Sequence, residues 1–160
     1  MIGDGAYREY LENLANKLGI KAKVKFLGQL PHEAVLQQLR EADLFVLPSR
    51  TEGLPRAMIE AMACGLPCIG STVGGIPELL PSEDLVSPND IEALARKIEE
   101  VVRNPARMRQ MVERNLRTAQ DYRPEVLQAR REQFYKKVCG LTEKWYAEKD
   151  SLHIALCKLK

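Results

Sequence analysis

Two carboxylates separated by seven residues, Glu52 and Glu60, frame the start of an apolar helix. Leu44, Phe45, Val46 and Leu47 form a short apolar run closed by Pro48, which reads as a buried strand. A polar loop with Gly53 follows. Pro55 fits the first position of a helix that Gly65 ends. A strand, a glycine loop and a helix N-terminus in that order make an anion site, because unpartnered backbone N–H groups point outward there. Gly53 lets backbone approach a ligand closely. The helix carries Ala57, Met58, Ile59, Ala61, Met62, Ala63 and Cys64, which leave almost no polar face, and it is expected to be buried. Glu60 is its only carboxylate, and a buried carboxylate is costly unless hydrogen bonds or a cation satisfy it. A plainer chemistry is a pair between Glu60 and Arg56 one turn back, worth about 0.2–0.5 kcal/mol, too little to compensate for burial. Glu52, taken singly, also fits an ordinary exposed loop residue.

The elements that must position these residues alternate between strand and helix. Residues 1–2 read as the end of a strand, and Gly3, Asp4 and Gly5 as the turn out of it. A Gly-x-Gly invites a dinucleotide site, but the third glycine of that fingerprint would fall at Arg8, so the turn is read as a simple link. Residues 7–18 place Leu11, Leu14, Ala15 and Leu18 at helical spacing, with Gly19 as the stop. Residues 23–28 alternate into an apolar end and read as a strand. Pro31 and His32 open the next helix, with Val35, Leu36 and Leu39 inward. His32 has no partner acid that the sequence places, and is read as a solvent-facing first-turn residue.

Residues 68–71 read as a second buried strand, followed by a loop with Gly74 and Gly75 and a short helix at Pro77 and Glu78. That loop either lines a cleft at the end of its strand or is a simple tight turn. Residues 84–86 form a last short strand. Asn89 or Asp90 caps a long helix with Ile91, Leu94, Ala95, Ile98, Val101 and Val102 on one face. A further helix from Pro105 carries Met108, Met111, Val112 and Leu116, a core stripe rather than a cofactor box. After a break at 122–124, residues 125–145 read as a charged amphipathic helix with Val126, Leu127, Phe134, Val138 and Leu141 as its apolar positions. Residues 150–160 carry no clear cap and are expected to be a loosely ordered tail. The alternation predicts an α/β fold, a Rossmann-like parallel sheet with helices on both faces. Ligands of such sheets bind outside the carboxyl ends of the strands, where Glu52, Gly53, Gly74 and Gly75 fall.

Glu52, seven residues, Glu60, then Ala61, Met62, Ala63, Cys64, Gly65, Leu66 and Pro67 resemble the donor-site signature of family-four retaining glycosyltransferases of the GT-B fold. The later Gly74, Gly75, Pro77 and Glu78 match the family's Gly-Gly-x-Pro-Glu segment. By resemblance, Glu52 lies by the donor sugar as the catalytic-site carboxylate. The amides of Gly53 and Leu54 hold the diphosphate, and Glu60 binds the nucleotide ribose. Many members have Phe-Gly where this chain has Leu54 and Pro55, a variant that removes one N–H donor at Pro55. Leu27, Gly28 and Leu30 are candidates to border the base, and Gly74 and Gly75 to line the cleft. The resemblance runs from residue 1 to about 135 and covers part of the C-terminal half of a GT-B enzyme. It implies a partial nucleotide-sugar-binding domain over 1–149 that lacks the first strands, a basic Arg/Lys pair and the N-terminal domain. In GT-B enzymes the terminal helix often crosses back to that other domain, which would account for apolar residues on 125–145. The implied reaction moves a sugar from a UDP-, GDP- or ADP-sugar to an acceptor with retention, without a cofactor or metal, in glycan, polysaccharide or glycolipid synthesis. The 160-residue chain alone is then expected to turn over negligibly. A nucleotide-sugar epimerase or sugar phosphorylase on the same scaffold, and a non-catalytic nucleotide-binding fragment, remain open alternatives.

Composition narrows the classes. Hydrophobic residues make up 45% and charged residues 29% of 160, ordinary for one soluble domain. A balance of 24 basic and 22 acidic residues, net +2, gives no reason to expect nucleic acid as a partner. No apolar run is long enough to span a bilayer and no signal peptide precedes the first helix, so a cytoplasmic setting is expected, with peripheral attachment of a full enzyme at the inner membrane face still open. The four cysteines, Cys64, Cys68, Cys139 and Cys157, lack zinc spacing, and Cys64 and Cys68 read as small core residues.

Overall fold

The computed structural model describes the backbone of residues 1–157 and the side chains of residues 1–146 and 149. The chain divides into two compact units, Met1–Arg117 and the residues from Thr118 onward. The first unit is built on a three-stranded parallel sheet, β1 (Phe45–Leu47), β2 (Cys68–Ser71) and β3 (Leu85–Val86), in the order β1-β2-β3. The register pairs Val46 with Ile69 and Gly70 with Leu85. Its helices are α1 (Arg8–Lys17), α2 (His32–Arg40), α3 (Arg56–Ala63), α4 (Ile76–Leu79) and α5 (Ile91–Val102). A sixth, α6 (Pro105–Gln120), begins in this unit.

The central strand explains the layering. Successive residues of a strand face opposite sides of the sheet. Ile69 is fully buried against Val101 of α5 and Met111 of α6, with Leu94, Ile98 and Met108 packed around them. Gly70 faces the other side, where a Cβ would lie 2.6 Å from Ile76 Cγ2 and 3.0 Å from Met58 Cε. A side chain at that position would push α3 and α4 off the sheet. One residue of β2 therefore grips α5 and α6, and the next admits α3 and α4.

Several sequence expectations change. Residues 23–28 do not make a strand. A 3-10 turn, Lys21–Lys23, is followed by an extended run with a single antiparallel bridge, Gly3 to Gly28. Its partners are residues 1–3: Leu27 N–H donates to Met1 O at 2.9 Å, and Gly3 N–H to Gly28 O at 2.8 Å. Two or three residues give too few rungs for a ladder. Helix α3 is not buried all round: Met58, Ala61 and Met62 face inward, while Ala57 and Ala63 are exposed. Apolar composition does not close the outer face when no element packs on it. The inward stripe of α5 is narrower than expected. Leu94, Ile98 and Val101 meet the core, but Ala95 is exposed, as are Ile91 (80%) and Val102. Asp90, not Asn89, is the cap, accepting from Ala93 N–H at 2.8 Å. Asp84 ends a 3-10 turn ahead of β3 rather than joining the strand. Met111 is buried as expected, whereas Leu116 at the end of that stripe is exposed. Cys68 is buried, while Cys64 is only partly so.

The charged interior of this unit was not legible beforehand. Asp84 is fully buried, with Arg107 Nη2 at 2.9 Å and Arg114 Nη2 at 2.6 Å from its two oxygens. Arg107 also contacts Glu100 of α5. Buried Asn115 donates to Leu66 O at 2.8 Å, tying α6 to the turn between α3 and β2. In the second unit, α7 (Pro124–Cys157) follows the break at 122–124 and runs past the end expected at 145. Its Leu127, Phe134, Val138 and Leu141 are exposed. The expected tail at 150–160 coincides with the last backbone turns of α7 as far as Cys157, and 158–160 lie outside the described residues. No helix among the described residues is long and apolar enough to cross a membrane.

Candidate functional site

Strand β1 ends at Leu47, and the chain leaves the sheet through Pro48 into the loop carrying Glu52. That loop is held from two sides. Ser49 Oγ donates to Glu52 Oε1 at 2.7 Å, fixing the carboxylate. Ser71 Oγ, at the end of β2, donates to Ser49 O at 2.5 Å. The glycine loop after β2 then lies directly on the Glu52 loop: Gly75 N–H donates to Gly53 O at 2.7 Å. Gly74 has φ +53, and a Cβ there would lie 2.6 Å from the Glu52 carbonyl carbon and closer still to its oxygen. Gly74 and Gly75 thus support Glu52 and Gly53 from behind. Where Gly53 would carry a Cβ there is open space.

The helix begins one residue later than its proline suggested. Pro55 is the N-cap, extended at ψ 104, and Arg56 is the first helical residue. Met58 N–H and Ile59 N–H both reach Pro55 O, at 3.1 and 3.3 Å. The N–H groups of Arg56 and Ala57 have no acceptor among the described residues. A helix start with free N–H groups carries partial positive charge. Proline at the cap removes no helical donor, because its own N–H would lie outside the helix.

Glu52, Pro55, Arg56, Ala57 and Glu60, with His32 and Leu47, line one open cleft of about 450 Å³. The two carboxylates therefore share a space, with the free amides of Arg56 and Ala57 on residues between them. Glu60 does not pair with Arg56. The side chain that faces it among the described residues is His32 at the start of α2, with Nδ1 3.9 Å from Oε1. Neither Leu27, Gly28 nor Leu30 lines this cleft. Gly28, at φ +66, lies beneath the Arg8 guanidinium, which also forms an ion pair with Glu12. Gly53 and Leu54 are exposed at the loop tip.

Two other hollows carry less chemistry. One of about 450 Å³ opens beside Pro48, Arg50 and Ser71, but its carboxylate, Asp90, is committed to capping α5. The other, about 340 Å³, is bordered by Asp84, Arg107 and Arg114, and both arginines are committed to ion pairs with the buried Asp84. No cluster of His, Cys, Asp or Glu among the described residues could hold a metal ion. Burial pushes the Cys68 thiol from 9.0 up to about 12, with Arg114 opposing and Asp84 adding to the rise, so this cysteine is a protonated core residue. Sequence reasoning missed Ser49 and Ser71 and set aside His32 and Arg56. The spacing of Ser49 three residues before Glu52 was the available signal for one of them; nothing local connected His32 with Glu60.

Comparison with known proteins places this geometry in context. The family model for glycosyl transferases group 1 matches residues 1–118. A GDP-mannose-dependent monoacylated alpha-(1-6)-phosphatidylinositol monomannoside mannosyltransferase of Corynebacterium glutamicum is 36% identical over 116 residues, 67% of this chain and 30% of that protein. Among solved structures, sucrose-phosphate synthase from Thermosynechococcus elongatus superposes with a TM-score of 0.76 at 33% identity, covering 86% of this chain and 35% of that one. HepE of Anabaena, crystallised in complex with UDP, gives 0.72 at 24% identity over 87% of this chain and 40% of its own, a likeness of fold. The chain spans about a third of the length of the proteins it matches.

Proposed function

Given that the chain belongs to the glycosyl transferases group 1 family, with the α/β fold of GT-B enzymes, we propose that it is the donor-binding part of a retaining glycosyltransferase. The substrate is a nucleotide diphosphate sugar, and the product a glycan, polysaccharide or glycolipid. One observation carries the reading: Glu52 and Glu60 line a single open cleft at the N-terminus of α3. In this assignment Glu60 accepts the ribose hydroxyls. The α3 N-terminus, with the Gly53 and Leu54 loop, receives the diphosphate. Glu52, held by Ser49, lies by the donor sugar.

Charge grows on the diphosphate as the glycosidic bond breaks, and a helix N-terminus meets that charge without reorganising. The free amides of Arg56 and Ala57, rather than Pro55, are the donors suited to it. Gly74 and Gly75 act by supporting Glu52, and Leu27, Gly28 and Leu30, outside the cleft of the two carboxylates, are assigned to the nucleotide base. The donor class is a UDP-, GDP- or ADP-sugar; the name of the mannosyltransferase relative and the UDP complex of HepE support the first two. The acceptor groove and the facing domain are assigned to the rest of a longer enzyme, with peripheral attachment at the inner membrane face as its setting. Residues 1–149 are then part of its C-terminal domain.

Melting the chain with and without UDP and GDP tests this. Ligand at a hundredfold excess over its dissociation constant adds about 2.7 kcal/mol to the folded state. For a chain of this size that raises the midpoint by roughly 5–10 °C. Glu60→Ala should abolish most of the rise. An equal rise in the variant removes the ribose role. A measurable sugar-transfer rate from the isolated chain would show instead that the missing length is dispensable.

A further inference from the structure

Glu60 emerges from α3 with its side chain 33% exposed and no hydrogen bond among the described residues. A carboxylate so placed lacks much of its hydration and has gained no donor in exchange. The cation one turn back on the same helix, Arg56, does not turn to it. The group that does face it comes from another helix, 28 residues earlier: His32, in the first turn of α2, with Nδ1 3.9 Å from Oε1. Both side chains line the same cleft. Arg56 and Glu52 line the same cleft, and neither is paired with His32 or Glu60.

We propose that His32 is a positioning residue for the donor site: it holds the Glu60 carboxylate in the orientation that accepts a vicinal diol, and so favours ribonucleotides over deoxy analogues. This rests on the reading of Glu60 as the ribose ligand.

A free glutamate side chain explores many rotamers, and freezing it on binding costs up to about 2 kcal/mol of entropy. An imidazole beside one oxygen restricts that search before the ligand arrives. At 3.9 Å the contact is longer than a hydrogen bond, so a small rotation of the 66% exposed imidazole closes it. Oε1 then receives a donor from His32 and keeps a lone pair. Oε2 stays free, and the two oxygens together can take two adjacent hydroxyls. Preorganisation of this kind shows as affinity without new contact to the ligand.

The experiment measures dissociation constants for UDP and 2′,3′-dideoxy-UDP on the 160-residue chain, using wild type, His32→Ala, His32→Gln, Glu60→Gln and the double variant His32→Ala with Glu60→Gln. His32→Ala is expected to weaken UDP about fivefold, the scale of one lost hydrogen-bonding partner, and to leave the ligand-free melting point unchanged. His32→Gln, whose amide can still donate to Glu60, should recover most of that loss. The dideoxy compound should bind wild type and His32→Ala alike, and the His32 effect should vanish in the Glu60→Gln background. A fivefold loss that persists with the dideoxy compound or without the Glu60 charge would place His32 on another part of the ligand and overturn the proposal. So would UDP affinity indifferent to His32→Ala. Wild-type chain that binds none of UDP, GDP and ADP would overturn the donor-site reading itself, and this inference with it.

Discussion

Replacing Gly74 with alanine should dismantle the support beneath Glu52. The added Cβ would lie 2.6 Å from the Glu52 carbonyl carbon and overlap its oxygen, and 3.1 Å from Gly53 O. All three are backbone atoms, so no side-chain rotation relieves the overlap. Gly74 also sits at φ +53, where a residue with a Cβ costs about 1–2 kcal/mol. To escape, the two loops must part, breaking the 2.7 Å bond from Gly75 N–H to Gly53 O, worth about 1 kcal/mol. The sum before any further strain is about 2–3 kcal/mol, which for a chain of 160 residues lowers the melting point by roughly 4–12 °C. Gly53→Ala is the control: its Cβ would enter open space, and surface changes of that kind stay within about 0.5 kcal/mol. Thermal denaturation followed by circular dichroism reads both. UDP affinity measured well below the transition should fall in Gly74→Ala, because Glu52 and Gly53 move with their support. A Gly74→Ala protein that melts within about 1 °C of wild type would refute the close stacking of the two loops.

Removing the buried charge of Asp84 by Asp84→Ala leaves Arg107 and Arg114 facing an interior without their shared anion. Breaking a buried pair from one side costs about 3–5 kcal/mol, so the urea midpoint should drop sharply; a loss under about 1 kcal/mol would mean the arginines reach water. Cys68 gives a pH signature. Its thiol titrates at about 12 in the folded chain against 9.0 in an ordinary environment, so the folded state holds the proton more tightly. That stability is complete below pH 9 and is lost as pH rises from 9 toward 12, about 2 kcal/mol by pH 10.5. Urea unfolding at pH 8 and 10.5 should show a smaller alkaline decline in Cys68→Ala than in wild type, and matching declines would contradict the burial effect.

How far the residues announced the structure depends on the range of the forces involved. Strand β1 and helix α3 were legible because each signal is local: an apolar run of four residues for one, a proline entry and glycine exit for the other. The shared cleft of Glu52 and Glu60 was legible in part, since a strand, loop and helix in sequence leave little freedom to residues eight positions apart. The partner of Glu60 was not, because α2 and α3 meet only through the tertiary fold. Asp84 illustrates the same limit. It looked like the first residue of a strand, and only the approach of Arg107 and Arg114 on α6 makes it a buried anion. The run at 23–28 fails in the opposite sense, since alternation promises a strand but hydrogen-bonded neighbours must supply it, and residues 1–3 supply few rungs.

The bond from Gly75 N–H to Gly53 O also governs how the two loops open. Surface loops commonly trade their amide hydrogens with solvent through small independent openings. Here the Gly75 amide cannot meet solvent until the Glu52 loop lets go, and the Ser71 hydroxyl on Ser49 holds the root of that loop. Both segments should exchange deuterium in a single concerted event, at a rate closer to that of the central strand than to that of a free turn.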